Sequence, residues 1–243
     1  MRRETQNILL ILLGGALLKI AVNGDYLRYV KPSQQPWVIA GGAVMLVLGV
    51  LAVLRDLLAA RRTATAPATE GHEHHHPARS AWLLLVPVLA VFLVAPPALG
   101  SDSVTRTQGR APDNAAAQAS AHFPPLPAEP VVPMSLTDFV TRAGWDANGT
   151  LNGRTVSLSG FVVHDAGSTM LARMVISCCA ADARPLTVRL TGLPQVSGYA
   201  SDAWLEVTGQ IVPGTATKAN GYTADLVVAT ARPVSAPDDP YEY

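Results

Sequence analysis

Cysteine is almost absent from this chain. Its two thiols, Cys178 and Cys179, are neighbours, so no disulfide can staple distant segments together and all sulfur chemistry is confined to one dipeptide. Surplus charge is absent too, because 18 basic and 18 acidic residues balance. Residues 135–243 hold seven Arg and Lys against ten Asp and Glu, a net of −3. That lacks the clustered cations that phosphate neutralisation requires, and nucleic acid is not expected as a partner. There is no phosphate-cradling loop, no zincin helix and no Ser-His-Asp arrangement identifiable by spacing, so no enzymatic activity is expected. Long apolar runs are nearly confined to the residues before 100.

Three of those runs are long enough to predict bilayer-spanning helices. Residues 8–22 are apolar apart from Lys19; 37–54 carry no charge and begin with Trp37, whose indole suits the interface. Residues 81–98 form the third, with Trp82 at its start and a kink expected at Pro87, which neighbouring helices can absorb. No small-x-small cleavage pattern follows the first run, so it is read as an uncleaved helix. Lys19 is expected to snorkel outward or to meet an acidic group of a partner, with Gly14-Gly15-Ala16 allowing close helix approach. Basic residues set the orientation. Arg2 and Arg3 precede the first run, and Arg55, Arg61, Arg62 and Arg79 separate the second from the third, against only Arg28 and Lys31 between the first two. The excess places the N-terminus and the second loop in the cytoplasm and sends the remainder outside.

The expected architecture is therefore a multi-pass membrane protein with three N-terminal transmembrane helices in residues 1–100, including a cytoplasmic His-rich loop at 61–80. A disordered linker at 101–133 follows, rich in Ala, Ser, Pro and Gln and poor in bulky apolar groups. Its flexible span would be roughly 30 Å. Residues 134–243 are expected to form an extracytoplasmic all-β domain. Ser135-Leu136-Thr137-Asp138 suits a helix start. Apolar-alternating runs at 155–164, 170–177, 186–190, 203–212 and 222–229, parted by Gly, Asn, Asp and Pro, predict five short strands and an OB-like barrel, with a β-sandwich fragment as the alternative.

Two groups of residues carry metal-binding chemistry. Cys178 and Cys179 supply soft donors with Asp182 three residues on, and His164 is a candidate fourth ligand; zinc accepts such a mixed sulfur, oxygen and nitrogen set. In an extended chain the two sulfurs would face opposite ways, so ligation predicts a turn near Ala180-Ala181-Asp182 and Pro185. A bridge between adjacent cysteines would be strained, because neighbouring Cα atoms lie about 3.8 Å apart. Arg173 would lower a thiol pKa if the turn folds it back; the other reading is a salt bridge holding the domain together. The second group, His72, His74, His75 and His76 with Glu70 and Glu73, is a compositional divalent-metal site of modest affinity.

The run Arg173-Met174-Val175-Ile176-Ser177-Cys178-Cys179-Ala180-Ala181-Asp182-Ala183, with Pro185, resembles the signature of the YcgQ-like family of bacterial permease subunits. Residues 153–162, Trp204-Leu205-Glu206-Val207-Thr208-Gly209 and Pro240-Tyr241-Glu242-Tyr243 extend the resemblance, as does the apolar N-terminal part. It implies a subunit in the bacterial cell membrane, working in the bilayer beside an integral membrane permease. Joined to the metal chemistry, the expected function is capture or gating of a transition-metal ion, zinc first. The alternatives are a membrane-tethered thiol redox protein and a structural adaptor of a membrane complex.

The charge asymmetry makes the topology testable. Single cysteines placed at Asp113 and Thr65 in a Cys-free background should react with a membrane-impermeant maleimide only at 113 in intact cells. Labelling of both positions from one side would rule out the three-span arrangement.

Overall fold

The computed structural model describes residues 3–63, 97–107 and 123–243, with positions 86, 89, 90, 93 and 94. They fall into two units, Met1–Pro97 and Ala98–Tyr243.

In the first unit α1 (Arg3–Asn23) and α2 (Gln35–Thr63) form a hairpin through two short 3-10 turns, Asp25–Arg28 and Pro32–Gln34. Both helices are long and apolar enough to cross a membrane, over Gln6–Asn23 and Pro32–Ala59. Glycine lets them approach. A Cβ at Gly14 would lie 2.8 Å from the Gly42 carbonyl oxygen, and one at Gly49 would lie 2.7 Å from the Ile11 side chain. The close helix approach expected at Gly14-Gly15-Ala16 is made, through Gly14, with the chain's own second helix, which a short hairpin loop makes the nearest surface. Near the other end of the pair, Asn7 donates to the Asp56 carboxylate at 3.0 Å. The outer positions of α2, including Val44, Val47, Leu48, Leu51 and Leu54, stay exposed, as suits lipid contact. Most of the third apolar run and the whole of His72–His76 lie outside the described residues.

The second unit contains a five-stranded barrel. Strand β2 (Thr155–Asp165) pairs with β3 (Ser168–Val175) on one side and β5 (Trp204–Val212) on the other. β5 pairs with β6 (Ala224–Pro233), β6 lies parallel to β4 (Arg184–Thr191), and β4 returns to β3, closing the cycle. The five predicted strands are all present within a few residues of their expected ends. β1 (Val131–Pro133) adds in parallel to β2, and β7 (Tyr241–Glu242) in parallel to β3. A helix, α4 (Leu136–Trp145), begins where expected: the Ser135 hydroxyl caps it by accepting from the Asp138 amide at 3.0 Å. Its Leu136, Phe139 and Val140 join Val156, Leu158, Val162, Leu171, Leu205, Val207 and Leu226 in the main core.

A second apolar cluster covers the outside of the β2–β3 hairpin. Phe161, Val163, Met170, Ala172, Met174, Ile176 and Tyr241 are closed over by Val104, which lies on α3 (Ser101–Thr107). This two-sided burial explains why β3 reads as an almost unbroken apolar run rather than a strict alternation. It also corrects the expectation of a disordered linker over 101–133 at both ends. Val104 is fully buried, and the Ser101 amide and hydroxyl donate to Asp202 at 2.6 and 2.9 Å. Further on, Arg154 and Arg142 donate to the carbonyls of Pro127, Glu129 and Pro124, and residues 131–133 are strand. Composition averaged over 33 residues hides one well-placed valine and a three-residue strand. Residues 108–122 lie outside the described residues.

Gly209 marks the tightest crossing in the barrel. A Cβ there would lie 2.4 Å from the Val227 carbonyl oxygen, beside a bulge in the β5–β6 register. In a chain piece of residues 98–243, Gly209→Ala should cost about 2 kcal/mol in urea unfolding, the usual scale of overpacking. Gly198→Ala, with nothing within 4 Å of the added carbon, should stay within about 0.5 kcal/mol. Equal effects of the two would contradict the close crossing.

Candidate functional site

β3 ends at Val175, and the chain then leaves the sheet through Ile176, whose side chain is buried in the second cluster. Ser177 and Cys178 form a bend, Cys179 is extended at φ −154°, and a 3-10 turn follows over Ala180–Asp182. The predicted turn is present, and Asp182 builds it. One carboxylate oxygen, Oδ1, accepts from the Ser177 amide at 2.7 Å; Oδ2 accepts from the Cys178 and Cys179 amides at 2.8 and 3.3 Å. In return the Cys179 sulfur accepts from the Asp182 amide, a reciprocal cap with cysteine in the place usually taken by Ser or Thr. Three consecutive amides of a solvent-facing loop are thus gathered onto one carboxylate.

The result brings both sulfurs to the same side. Cys178 Sγ lies 3.6 Å from Cys179 Sγ, and the two sulfurs and an Asp182 oxygen all lie within 4.8 Å of one another. Cys178 is exposed and Cys179 half-buried. The electrostatics follow from the carboxylate. Hydrogen bonding to the Cys178 thiol, and then to the three amides, holds Asp182 down to about 2 against the opposing effect of desolvation. The same carboxylate, accepting the Cys178 thiol proton, pushes that thiol up to about 11, with Cys179 adding to the rise. A free Cys178 is therefore a protonated thiol at neutral pH, and ligation must displace its proton.

Two expected neighbours are engaged elsewhere. His164, on the exposed end of the β2–β3 hairpin, donates from Nε2 to the Tyr199 carbonyl oxygen at 2.8 Å, and its Nδ1 accepts from the Thr169 hydroxyl at 3.2 Å. Both ring nitrogens have partners, and His164 is not in the cysteine group, which corrects its candidacy as a fourth ligand. The cause is register: His164 stands opposite Thr169 at the hairpin tip. Arg173 does not fold back to the thiols either. It is buried, with Nε 3.6 Å from a Glu242 oxygen, Nη2 donating to the Tyr241 carbonyl at 3.2 Å, and its guanidinium 4.8 Å over the Trp204 ring. The salt-bridge reading of Arg173 is the one found. Glu242 and Tyr241 belong to the terminal Pro-Tyr-Glu-Tyr run, and no local pattern in the sequence signals their tie to this loop.

Residues 5–109 match the family described as the DUF1980 N-terminal domain, and residues 146–243 match the DUF1980 C-terminal domain. The cysteine loop falls within the second match and the helical hairpin within the first. No curated protein and no solved structure matches the chain.

Because Asp182 titrates at a lower pH in the folded chain than in the unfolded one, its capping is intact above about pH 4 and is lost as pH falls through about 2. The amide resonances of Ser177, Cys178 and Cys179 should move together with a midpoint well below the ordinary aspartate value. A midpoint near 3.9 would contradict the three-amide cap. In Asp182→Asn this transition should vanish, and alkylation of Cys178 at pH 7 should speed up as its thiol returns toward the ordinary range.

Proposed function

We propose that this chain, which joins both DUF1980 domains, is an accessory subunit of a membrane permease that captures a transition-metal ion, zinc first, at Cys178, Cys179 and Asp182. In this reading three N-terminal helices anchor it in the membrane and the barrel stands outside. Support for the anchor comes from the two apolar helices and from the arginine asymmetry around them; support for the permease partner comes from the sequence resemblance.

The observation that carries the metal reading is the sulfur geometry. Two thiolates bound to one tetrahedral zinc at about 2.3 Å would stand about 3.8 Å apart, and the free loop already holds the sulfurs at 3.6 Å. Little rearrangement is needed to seat the ion. Asp182 has a carboxylate lone pair left on Oδ1, which accepts from one amide only. It can be the third donor without giving up the cap. The set has an exposed face at Cys178, and no fourth His, Cys, Asp or Glu joins it among the described residues. Closed four-ligand sites hold structural zinc, whereas three protein ligands leave a position for an exchanging one. An open site of this kind suits loading and handover of a cargo ion. The hairpin spans are apolar with few polar groups, Asn7 and Asp56 forming an interhelical pair among them, too little for an ion path of its own, so passage through the membrane is assigned to the partner.

The test uses the full-length chain in detergent with His72, His74, His75 and His76 replaced by Ala, which removes the loop as a competing site. It should bind one zinc, and cobalt in its place should show sulfur-to-metal charge transfer. Cys178→Ser and Cys179→Ser should each weaken zinc by more than the roughly 10–100-fold that follows loss of an outer-shell partner. Asp182→Asn should weaken it less, since a carbonyl oxygen remains. No zinc uptake, with thiols that convert reversibly under oxidant, would replace this reading by the redox one; inert thiols would leave the structural adaptor.

A further inference from the structure

The Tyr241-Glu242 strand has no part in the metal reading, yet it is tied to the cysteine loop at several points. β7 lies parallel to the end of β3, with Tyr241 opposite Met174 and Glu242 opposite Val175. One residue on, the Ile176 amide donates to the Glu242 main-chain carbonyl at 3.0 Å. The next residue, Ser177, is the first of the three amides held by Asp182. A pairing of two residues holds little by itself, so the strand must be fixed by its side chains. The Glu242 carboxylate accepts from the Leu136 and Thr137 amides at 3.0 and 2.7 Å and from the Thr137 hydroxyl, at the start of α4. It also faces the buried Arg173, which donates in turn to the Tyr241 carbonyl. The Tyr241 ring packs in the same cluster as Ile176, and its hydroxyl accepts from the Leu99 amide at 3.2 Å.

We propose that Tyr241 and Glu242 are positioning residues for the metal loop. By holding Ile176 they set where the loop leaves β3, and so where Asp182 gathers the amides and how far apart the two sulfurs stand. The metal arm of this proposal rests on the capture reading; the loop-geometry arm does not. Glu242 is placed to act through two routes at once. Its main chain takes the Ile176 amide, and its side chain locks that main chain against α4 and Arg173. Loss of the carboxylate would remove the ion-pair partner of a buried guanidinium, which is costly, and would free the strand.

The experiment uses the full-length chain in detergent, carrying the four loop His→Ala replacements, and compares Glu242→Ala, Tyr241→Ala and Tyr241→Phe. Val207→Ala, which loosens the main core rather than the second cluster, serves as the stability control. Melting temperature, alkylation rates of Cys178 and Cys179 without metal, zinc affinity and the cobalt charge-transfer spectrum are read for each. Glu242→Ala and Tyr241→Ala should change the alkylation rates several-fold, alter the cobalt band and weaken zinc on the order of 10–100-fold, the scale of outer-shell effects. Tyr241→Phe, which keeps the ring, should retain most of the affinity. Val207→Ala should melt lower with the thiol rates, spectrum and affinity unmoved. If Glu242→Ala melts lower yet matches the parent in alkylation and in the cobalt spectrum, the tail is structural only and the proposal fails. Should Glu242→Ala not fold, Glu242→Gln takes its place under the same criteria. Shifted alkylation in a chain that takes up no zinc would overturn the capture reading and uphold the positioning role; unchanged zinc affinity in all variants would do the reverse.

Discussion

Everything in the second unit depends on β2 pairing with two strands at once. Its first part, Thr155 to Phe161, runs against β5, and its last, Phe161 to Asp165, runs against β3, with Phe161 common to both. That double engagement closes the barrel, and it is possible only because the chain has no side chain at Gly160. A Cβ there would lie 2.6 Å from the Ala172 carbonyl oxygen. Closure leaves no free edge at the centre of the sheet, and the β2–β3 hairpin carries apolar side chains on both faces. The second cluster exists because the outer of those faces must be covered, and the segments that cover it are α3 and the Tyr241-Glu242 strand.

The cysteine loop inherits its shape from that covering. Ile176 and Ala183, the residues flanking it, both pack toward the second cluster, so the six residues between them start and end on fixed points. Within that frame Asp182 does the local work. A short loop with two large sulfurs would ordinarily leave its amides to water; here one carboxylate collects three of them, and the sulfurs turn to the same side as a consequence. The two carboxylates near this end of the barrel act differently. Asp182 organises a solvent-facing loop through amides, whereas Glu242 ties a helix start, a strand and a buried guanidinium together.

Much of this was legible in the sequence. Five alternating runs parted by turn residues gave five strands, because a half-buried pleat writes its period directly into the chain. The Ser135 cap, the two apolar helices and the need for a turn after Cys179 were readable for similar local reasons. The unreadable parts were set by partners distant in sequence. His164 stood as a plausible ligand until the hairpin register put it opposite Thr169 and brought it to the Tyr199 carbonyl. Arg173 lies five residues from Cys178 and pairs with Glu242, 69 residues further along the chain. The supposed tether concealed Val104, since a polar, low-complexity average says nothing of one valine with a pocket waiting for it.

What the sequence determined by itself is the chemical inventory and the local geometry: which residues can span a bilayer, which alternate as strands, and that one dipeptide holds all the sulfur. Adjacent residues constrain one another through covalent bonds, so a turn and a cap need only a few positions to specify them. Tertiary structure alone decided which of the available donors converge. Cys178, Cys179 and Asp182 meet because a three-residue separation suffices for a 3-10 turn. His164 is held away because barrel closure assigns each strand end its neighbours, and no local pattern records that assignment.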